Sequence, residues 1–243
     1  MASWLISSSG RADLRIVRWL AAKRPQRPCG DSGGKHESHQ SAHAIAHGRV
    51  PHLSPTTLTT DEQRLILRAT AGNVRDHTII SLALGTGLRL AELVGLNVGD
   101  VFAPDGTPRV RVRVRKEIAK GGQAADVFLP DRLVAKLRPF GRFKRDRSED
   151  LAPNAPLFCN QSRVRISKRR VQFAWTTWQR RAGFDRQYGF HALRHTAVTN
   201  VYRASRDLFL AQRFARHQSP LTTTVYTHPS DEDMTSRLRS LGC

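Results

Sequence analysis

Seven consecutive residues, 109–115, alternate strictly between arginine and valine. Successive side chains of a β-strand point to opposite faces, so Val110, Val112 and Val114 are expected to face a core. Arg109, Arg111, Arg113 and Arg115 then line one wet, strongly positive side. A turn at Lys120-Gly121-Gly122 leads to a second strand, "DVFLP", which predicts an antiparallel pair.

The surrounding segments read as helices. "LTTDEQRLILRAT" puts Thr60 ahead of an acidic first turn, a helix start near Leu58. Residues 75–85 form a second helical segment, punctuated by Gly85 and Gly87. "RLAELVGLNVGDV" offers Leu90, Leu93 and Val94 as a buried face before Gly95. "KRDRSEDLAPNAP" looks like a linker. Residues 163–181 carry seven basic side chains and no acid around Val171, Phe173, Trp175 and Trp178. Further helices are expected near 191–204 and 207–216, and a short one at 231–241 that Ser230 could cap. Met234, Leu238 and Leu241 would share a face of it. The fold class expected is mainly α with a small antiparallel β-sheet.

Residues 1–55 differ. A basic amphipathic helix could span 3–24, but 25–55 is rich in Pro, Gly, Ser and His with few large apolar side chains to offset ordering entropy. His36, His39, His43 and His47 read as part of a polar flexible segment, because no cysteine or acidic ligands accompany them. The domain expectation is a basic arm over 1–55, a catalytic body over 56–229 and a tail over 230–243.

Charge narrows the partners. The chain has 40 Lys plus Arg against 20 Asp plus Glu, a formal charge of +20. Such a field favours a polyanion through phosphate contacts and counterion release, without separating DNA from RNA or an anionic membrane. No run of 18 apolar residues occurs, so no membrane span is expected. Cys29, Cys159 and Cys243 are odd in number and far apart, which predicts neither a disulfide framework nor a zinc cluster and suits a reducing cytoplasm.

Several polar residues stand where core or turn would be expected. Arg89 opens a largely apolar helix; His191 and Arg194 are i,i+3 on another, hence on one face. His217 closes a helix, and Tyr226 follows nine residues later. Each alone is more often structural or solvated. Together they suit phosphoryl transfer. Two guanidinium groups can hold the non-bridging oxygens of a phosphodiester and stabilise charge gathering in the transition state. A tyrosine, with a reference pKa of about 10, needs a base or positive neighbours to become a nucleophile. A histidine can take its proton, and a lysine at a strand turn can protonate the leaving oxygen. No metal or other cofactor is needed in this scheme.

The order and wording of these segments resemble the tyrosine recombinase, or phage integrase, family over roughly residues 55–235. "TGLRLAEL" places the family's first catalytic arginine on Arg89. "AKGGQAADVFLP" places its strand-turn lysine on Lys120, with Lys116 a second choice. "HALRHT" places a histidine and the second arginine on His191 and Arg194. "ARHQSPLTTTVYTH" places the last histidine on His217 and the nucleophile on Tyr226. The resemblance assigns His195 and His228 supporting or structural roles. It implies the fold of DNA breaking-rejoining enzymes and strand exchange through a 3′-phosphotyrosyl link. It also implies double-stranded DNA as partner, a homo-tetramer on paired sites, and tail residues 231–241 docking on a neighbouring subunit or on their own domain.

Two departures stand out. Relatives carry an N-terminal helical domain that closes a clamp on DNA, and the composition of residues 1–55 is not expected to build one, so an accessory DNA-binding partner could supply that jaw. Arg216 stands where the family commonly has glycine, adding charge near the phosphate. Phosphate-contact candidates are Arg109, Arg111, Arg113, Arg115, Lys168, Arg169 and Arg170. Rival readings are a degenerate recombinase that binds DNA without covalent capture, a type IB topoisomerase-like enzyme that relaxes supercoils without paired sites, and a structural or RNA-binding basic protein that would leave the ordered boxes a coincidence.

Overall fold

The computed structural model describes residues 56–227, 234–235 and 238–241, all within a unit spanning Val50–Cys243. The expectations for a helix at 3–24 and a linker at 25–55 lie outside the described residues. Helix α1 (Thr60–Thr70) is capped by Thr59, one residue before the expected Thr60. Thr59 accepts from the Glu62 N–H while Glu62 accepts from the Thr59 N–H, a reciprocal box that satisfies two donors of the first turn. Helix α2 (Val74–Thr86) is capped by Asn73 and runs through Gly85. It stops at Gly87, whose φ of 60° is left-handed.

Helices α3 (Leu90–Gly95) and α4 (Val98–Val101) are short and separated by Leu96 and Asn97. Strands β1 (Arg111–Val114) and β2 (Ala125–Phe128) pair antiparallel, Arg111 opposite Phe128 and Val114 opposite Ala125. Val112 and Val114 are buried as the alternation requires. Val110 is not: it lies in a bend before the strand, 65% exposed, although its carbonyl still accepts from the Leu129 N–H. The alternating run therefore begins two residues before the strand and ends one residue after it.

Helix α5 (Asp131–Asp146) follows β2, and three of the residues read as linker, Lys144 to Asp146, are its last turn. Lys144 is fully buried. Its ammonium donates to Glu149 at 2.8 Å and to the Pro156 and Leu157 carbonyls at 3.1 and 3.0 Å. Those three partners use all three of its N–H donors. Arg147 also reaches Glu149 at 3.0 Å. Residues 144–156 are thus fastened to the core by a buried ion pair that composition could not show.

Helices α6 (Lys168–Arg181), α7 (His191–Ser205), α8 (Leu208–Ala215) and α9 (Leu221–Thr224) complete the order. α2 packs against α5 and α7, and α7 against α8. Burial divides into two clusters. A large one runs from Leu58 through Leu82, Leu93, Val112, Leu137, Phe158 and Trp175 to Leu193. A small one holds Val198, Ala211, Ala215 and Tyr226, with Val201, Tyr202, Phe214 and Val225 against it. The tail expected over 231–241 is only partly described: Met234, Leu238 and Leu241 are exposed, while Ser230 lies outside the described residues. No helix among the described residues is long and apolar enough to cross a membrane.

Candidate active site

The left-handed turn at Gly87 throws Leu88 into the core and leaves Arg89 as the N-cap of α3. Glu92, one helical turn on and buried, accepts from the Arg89 backbone N–H at 2.8 Å and from its guanidinium at 3.0 Å. One carboxylate therefore fixes both the backbone and the side chain of Arg89. Arg216 reaches the same carboxylate at 2.6 Å from 124 residues away.

Arg194, on the first turn of α7, is 3% exposed. Its guanidinium donates to the carbonyls of Gly87 and Ala215, so it ties the turn before Arg89 to the end of α8. Burial, then the fields of Arg89 and Arg216, lower its pKa to about 10, which leaves it charged at neutral pH. α8 ends at Ala215 rather than 216. Arg216 is its left-handed C-cap, and His217 lies just beyond, its N–H donating to the Gln212 carbonyl.

Tyr226 follows α9 and is 7% exposed. Its hydroxyl lies 2.7 Å from Nδ1 of His195, and its ring lies nearly parallel to that of His217 with centroids 6.2 Å apart. His217 Nδ1 meets the Thr223 hydroxyl at 2.9 Å. His191 stands edge-on to His195 at 4.6 Å. Two histidines thus lie against the phenol and the third against His195, all three within electrostatic reach of Arg194. Burial lowers the pKa of all three, helped for His191 by Arg194, Arg89 and Lys120, and for the other two by Arg194 among their charged neighbours. His195 and His217 fall to about 4. Both rings are therefore neutral at pH 7, and with His195 neutral the phenol can donate to Nδ1. Burial raises the Tyr226 pKa, against the pull of Arg194 and Arg89, so the free protein holds a phenol rather than a phenolate.

The structure brings Arg89, His191, Arg194, His217 and Tyr226 together. Lys120 is exposed in the turn between β1 and β2, close enough to act on His191; Lys116 is exposed earlier in the same connection. Glu92 was not singled out for the site, and His195 was expected only in a supporting or structural role. The signal for Glu92 was its i,i+3 spacing from Arg89; His195 could be placed on Tyr226 only by folding. Among the described residues no cluster of His, Cys, Asp or Glu could hold a metal.

The basic residues separate into two kinds. Arg115 turns inward, its Nε 3.0 Å from both Asp100 carboxylate oxygens and Nη2 donating to the Gly95 carbonyl. It braces α3 and α4 instead of facing outward. Arg165 likewise donates to the Val94 and Leu96 carbonyls. Arg109 donates to the Gly99 and Phe102 carbonyls at 3.2 Å, and Arg111 and Arg113 share Asp126 at 3.5 and 3.9 Å. Lys168, Arg169 and Arg170 are exposed in the first turn of α6, which has no acid. The positive end of a helix is an unfavourable place for cations unless an anion joins them.

The phage integrase family profile matches residues 56–233. The chain is 31% identical over 192 residues to tyrosine recombinase XerC of Thermodesulfovibrio yellowstonii, covering 77% of this chain and 62% of the relative. With XerC of Neisseria meningitidis serogroup B it is 32% identical over 154 residues, 63% of this chain and 48% of the relative. It therefore spans less than two thirds of the length of these relatives. A crystal structure of XerA recombinase superposes with a TM-score of 0.66 at 26% identity, over 78% of this chain and 66% of that one. XerH bound to its difH substrate shares the fold, with a TM-score of 0.62 at 23% identity over 77% of this chain and 55% of that one. On its sequence boxes and on the fold that gathers them, the chain belongs to the phage integrase family, with a Xer-like tyrosine recombinase catalytic domain.

Proposed function

We propose that this chain is a site-specific DNA recombinase that cleaves and rejoins double-stranded DNA through a 3′-phosphotyrosyl intermediate. The observation that carries the reading is the Tyr226 hydroxyl held at a neutral histidine beside Arg89 and Arg194. Arg89 and Arg194 hold the non-bridging oxygens of the scissile phosphate, and Glu92 keeps Arg89 aimed. As Oη attacks phosphorus, the phenolic proton passes to the histidine cluster and the bond to the 5′-oxygen breaks. Lys120, at the rim, gives that oxygen its proton. Rejoining reverses the steps with the 5′-hydroxyl of a second DNA, so phosphodiester energy is retained. The names XerC and XerA on the relatives, and the difH substrate bound to the site-specific recombinase XerH, support this reading.

DNA lies against the exposed cations Lys168, Arg169 and Arg170 and the outer face of β1. The active form is a homo-tetramer on paired sites, working in the cytoplasm, with an accessory DNA-binding protein an open role. An apolar groove of about 480 Å³ lined by Phe128, Val201, Leu210 and Phe214, and the exposed tail residues Met234, Leu238 and Leu241, suit docking of one subunit's tail on another.

Covalent capture tests the activity. The protein is mixed with supercoiled DNA carrying the flanks of its own gene, denatured, and examined for a protein–DNA adduct beside Tyr226→Phe. An adduct that the variant lacks is the expected result. Specific binding without an adduct would instead make the chain a degenerate DNA-binding protein. Relaxation without paired sites would make it topoisomerase-like.

A further inference from the structure

Arg216 combines three features that a merely structural side chain would not need. Its backbone is left-handed, with φ 55°, a conformation glycine adopts freely and an arginine does not. Its side chain is 13% exposed and its Nη2 is committed to Glu92 at 2.6 Å. Its Nη1 is the buried side-chain nitrogen or oxygen without a hydrogen-bond partner among the described residues. Buried donors are almost always satisfied, and a charged one left alone is costly.

The surroundings say what would satisfy it. Arg89, Arg194 and Arg216 act electrostatically on one another, and Glu92 is the carboxylate that pairs with Arg89 and Arg216. Three guanidinium groups around one buried carboxylate leave an excess of positive charge. Glu92 is itself saturated, with Oε1 taken by Arg89 and Oε2 shared by Arg216 and the Arg89 N–H. A second, incoming anion is what the remaining donor fits.

We propose that Arg216 is a third phosphate-binding arginine of this site, donating from Nη1 to a non-bridging oxygen of the bound phosphodiester. The proposal rests on the reading of the site as one that cleaves DNA. It gives Arg216 two jobs on two nitrogens. Nη2 pairs with Glu92, while Nη1 meets the substrate.

Full-length wild type, Arg216→Gly and Arg216→Lys would be compared in two measurements. Inorganic phosphate is titrated against the histidine ring signals by NMR, and the rate of covalent capture is measured on nicked DNA that traps the adduct. Glycine suits the left-handed backbone, and Glu92 keeps Arg89, so Arg216→Gly is expected to fold. Its phosphate affinity should fall about tenfold, the size of one charge-assisted hydrogen bond, with a comparable loss in capture rate. Arg216→Lys keeps the charge without the planar fork and should fall between.

Phosphate affinity within twofold of wild type in Arg216→Gly would overturn the proposal, even if the melting temperature fell, because clamping Glu92 alone predicts that pattern. Faster capture in Arg216→Gly would overturn it too, making Arg216 a plug. If phosphate binding drops in the variant but wild type never forms an adduct, the third anion ligand stands and the recombinase reading fails. If adducts form equally in both, the recombinase reading stands and this one fails.

Discussion

Arg89, Glu92 and Arg194 hang from α3 and α7 at the edge of the large buried cluster, with Leu88 and Leu93 driven into it beside them. Tyr226 belongs instead to a cluster whose buried members are itself, Val198, Ala211 and Ala215. Around that small cluster Phe209, Leu210 and Leu221 stand exposed. The wall proposed to receive phosphate is therefore rooted in most of the domain's apolar burial, and the wall that carries Tyr226 in little of it. Local opening free energies follow buried contacts, so the tyrosine segment is the part built to open first. That placement suits the nucleophilic role proposed for Tyr226, whereas the groups proposed to hold the phosphate would gain from rigidity.

The largest effect should come from cutting the tie between the two walls. Arg194→Ala removes the donor to both the Gly87 and Ala215 carbonyls and leaves a cavity, an expected loss of about 3–5 kcal/mol. Urea unfolding measures it. A loss under about 1 kcal/mol would mean that the walls hold together without Arg194.

One deletion placed in each cluster sharpens the contrast. Val112 and Val198 are both fully buried, the first in the large cluster and the second in the small one. Val112→Ala should lower global stability by about 2 kcal/mol and leave exchange of the Tyr226 segment unchanged. Val198→Ala should raise amide hydrogen exchange over residues 221–227 well before it changes exchange in α2. Equal behaviour of the two variants would erase the distinction between the walls.

Protonation should press on the Tyr226 wall in particular, because His195 and His217 both lie against Tyr226. Their folded pKa values are near 4, below the ordinary value of 6.5. The unfolded chain binds more protons between those limits, so stability is complete above pH 6.5 and is lost as pH falls toward 4. Solvent screening of half-exposed rings reduces the effect to about 1–2 kcal/mol for the pair. Urea midpoints from pH 7.5 to 4.5 should fall more steeply in wild type than in a His195→Gln, His217→Gln double variant. Parallel slopes would dissociate these rings from the pH response.

The sequence reached the two walls unequally as well. Arg89, His191, Arg194, His217 and Tyr226 stand in ordered local boxes, and the two-stranded pair was legible because Val112 and Val114 alternate with arginines. Helix α5 was not: Pro139 and Gly141 break its periodic signal, and a buried Lys144 looks like surface until Glu149 folds against it. The contacts that complete the site are long-range. Arg216 meets Glu92 across 124 residues and His195 meets Tyr226 across 31, and no local spacing encodes either. Charge pattern also misleads where acids are distant in sequence. Arg115 lies in the same alternating run as Arg113, yet Asp100 draws it inward.

The smallest effect distinguishes the walls by their partners. Arg169 is exposed on α6, which is anchored in the large cluster through Val171 and Trp175, whereas Arg213 is exposed on α8 and lines the apolar groove beside Phe214. If the rigid wall receives DNA and the groove receives protein, the two arginines should answer salt differently. Each phosphate contact on duplex DNA contributes about 0.9 to the slope of log affinity against log salt. Arg169→Gln should lower that slope by about that amount and weaken all DNAs alike. Arg213→Gln should leave the slope of a single bound protomer unchanged. A drop with Arg213→Gln equal to that with Arg169→Gln would place phosphate on both walls, and the tyrosine segment would then be held closed by DNA itself.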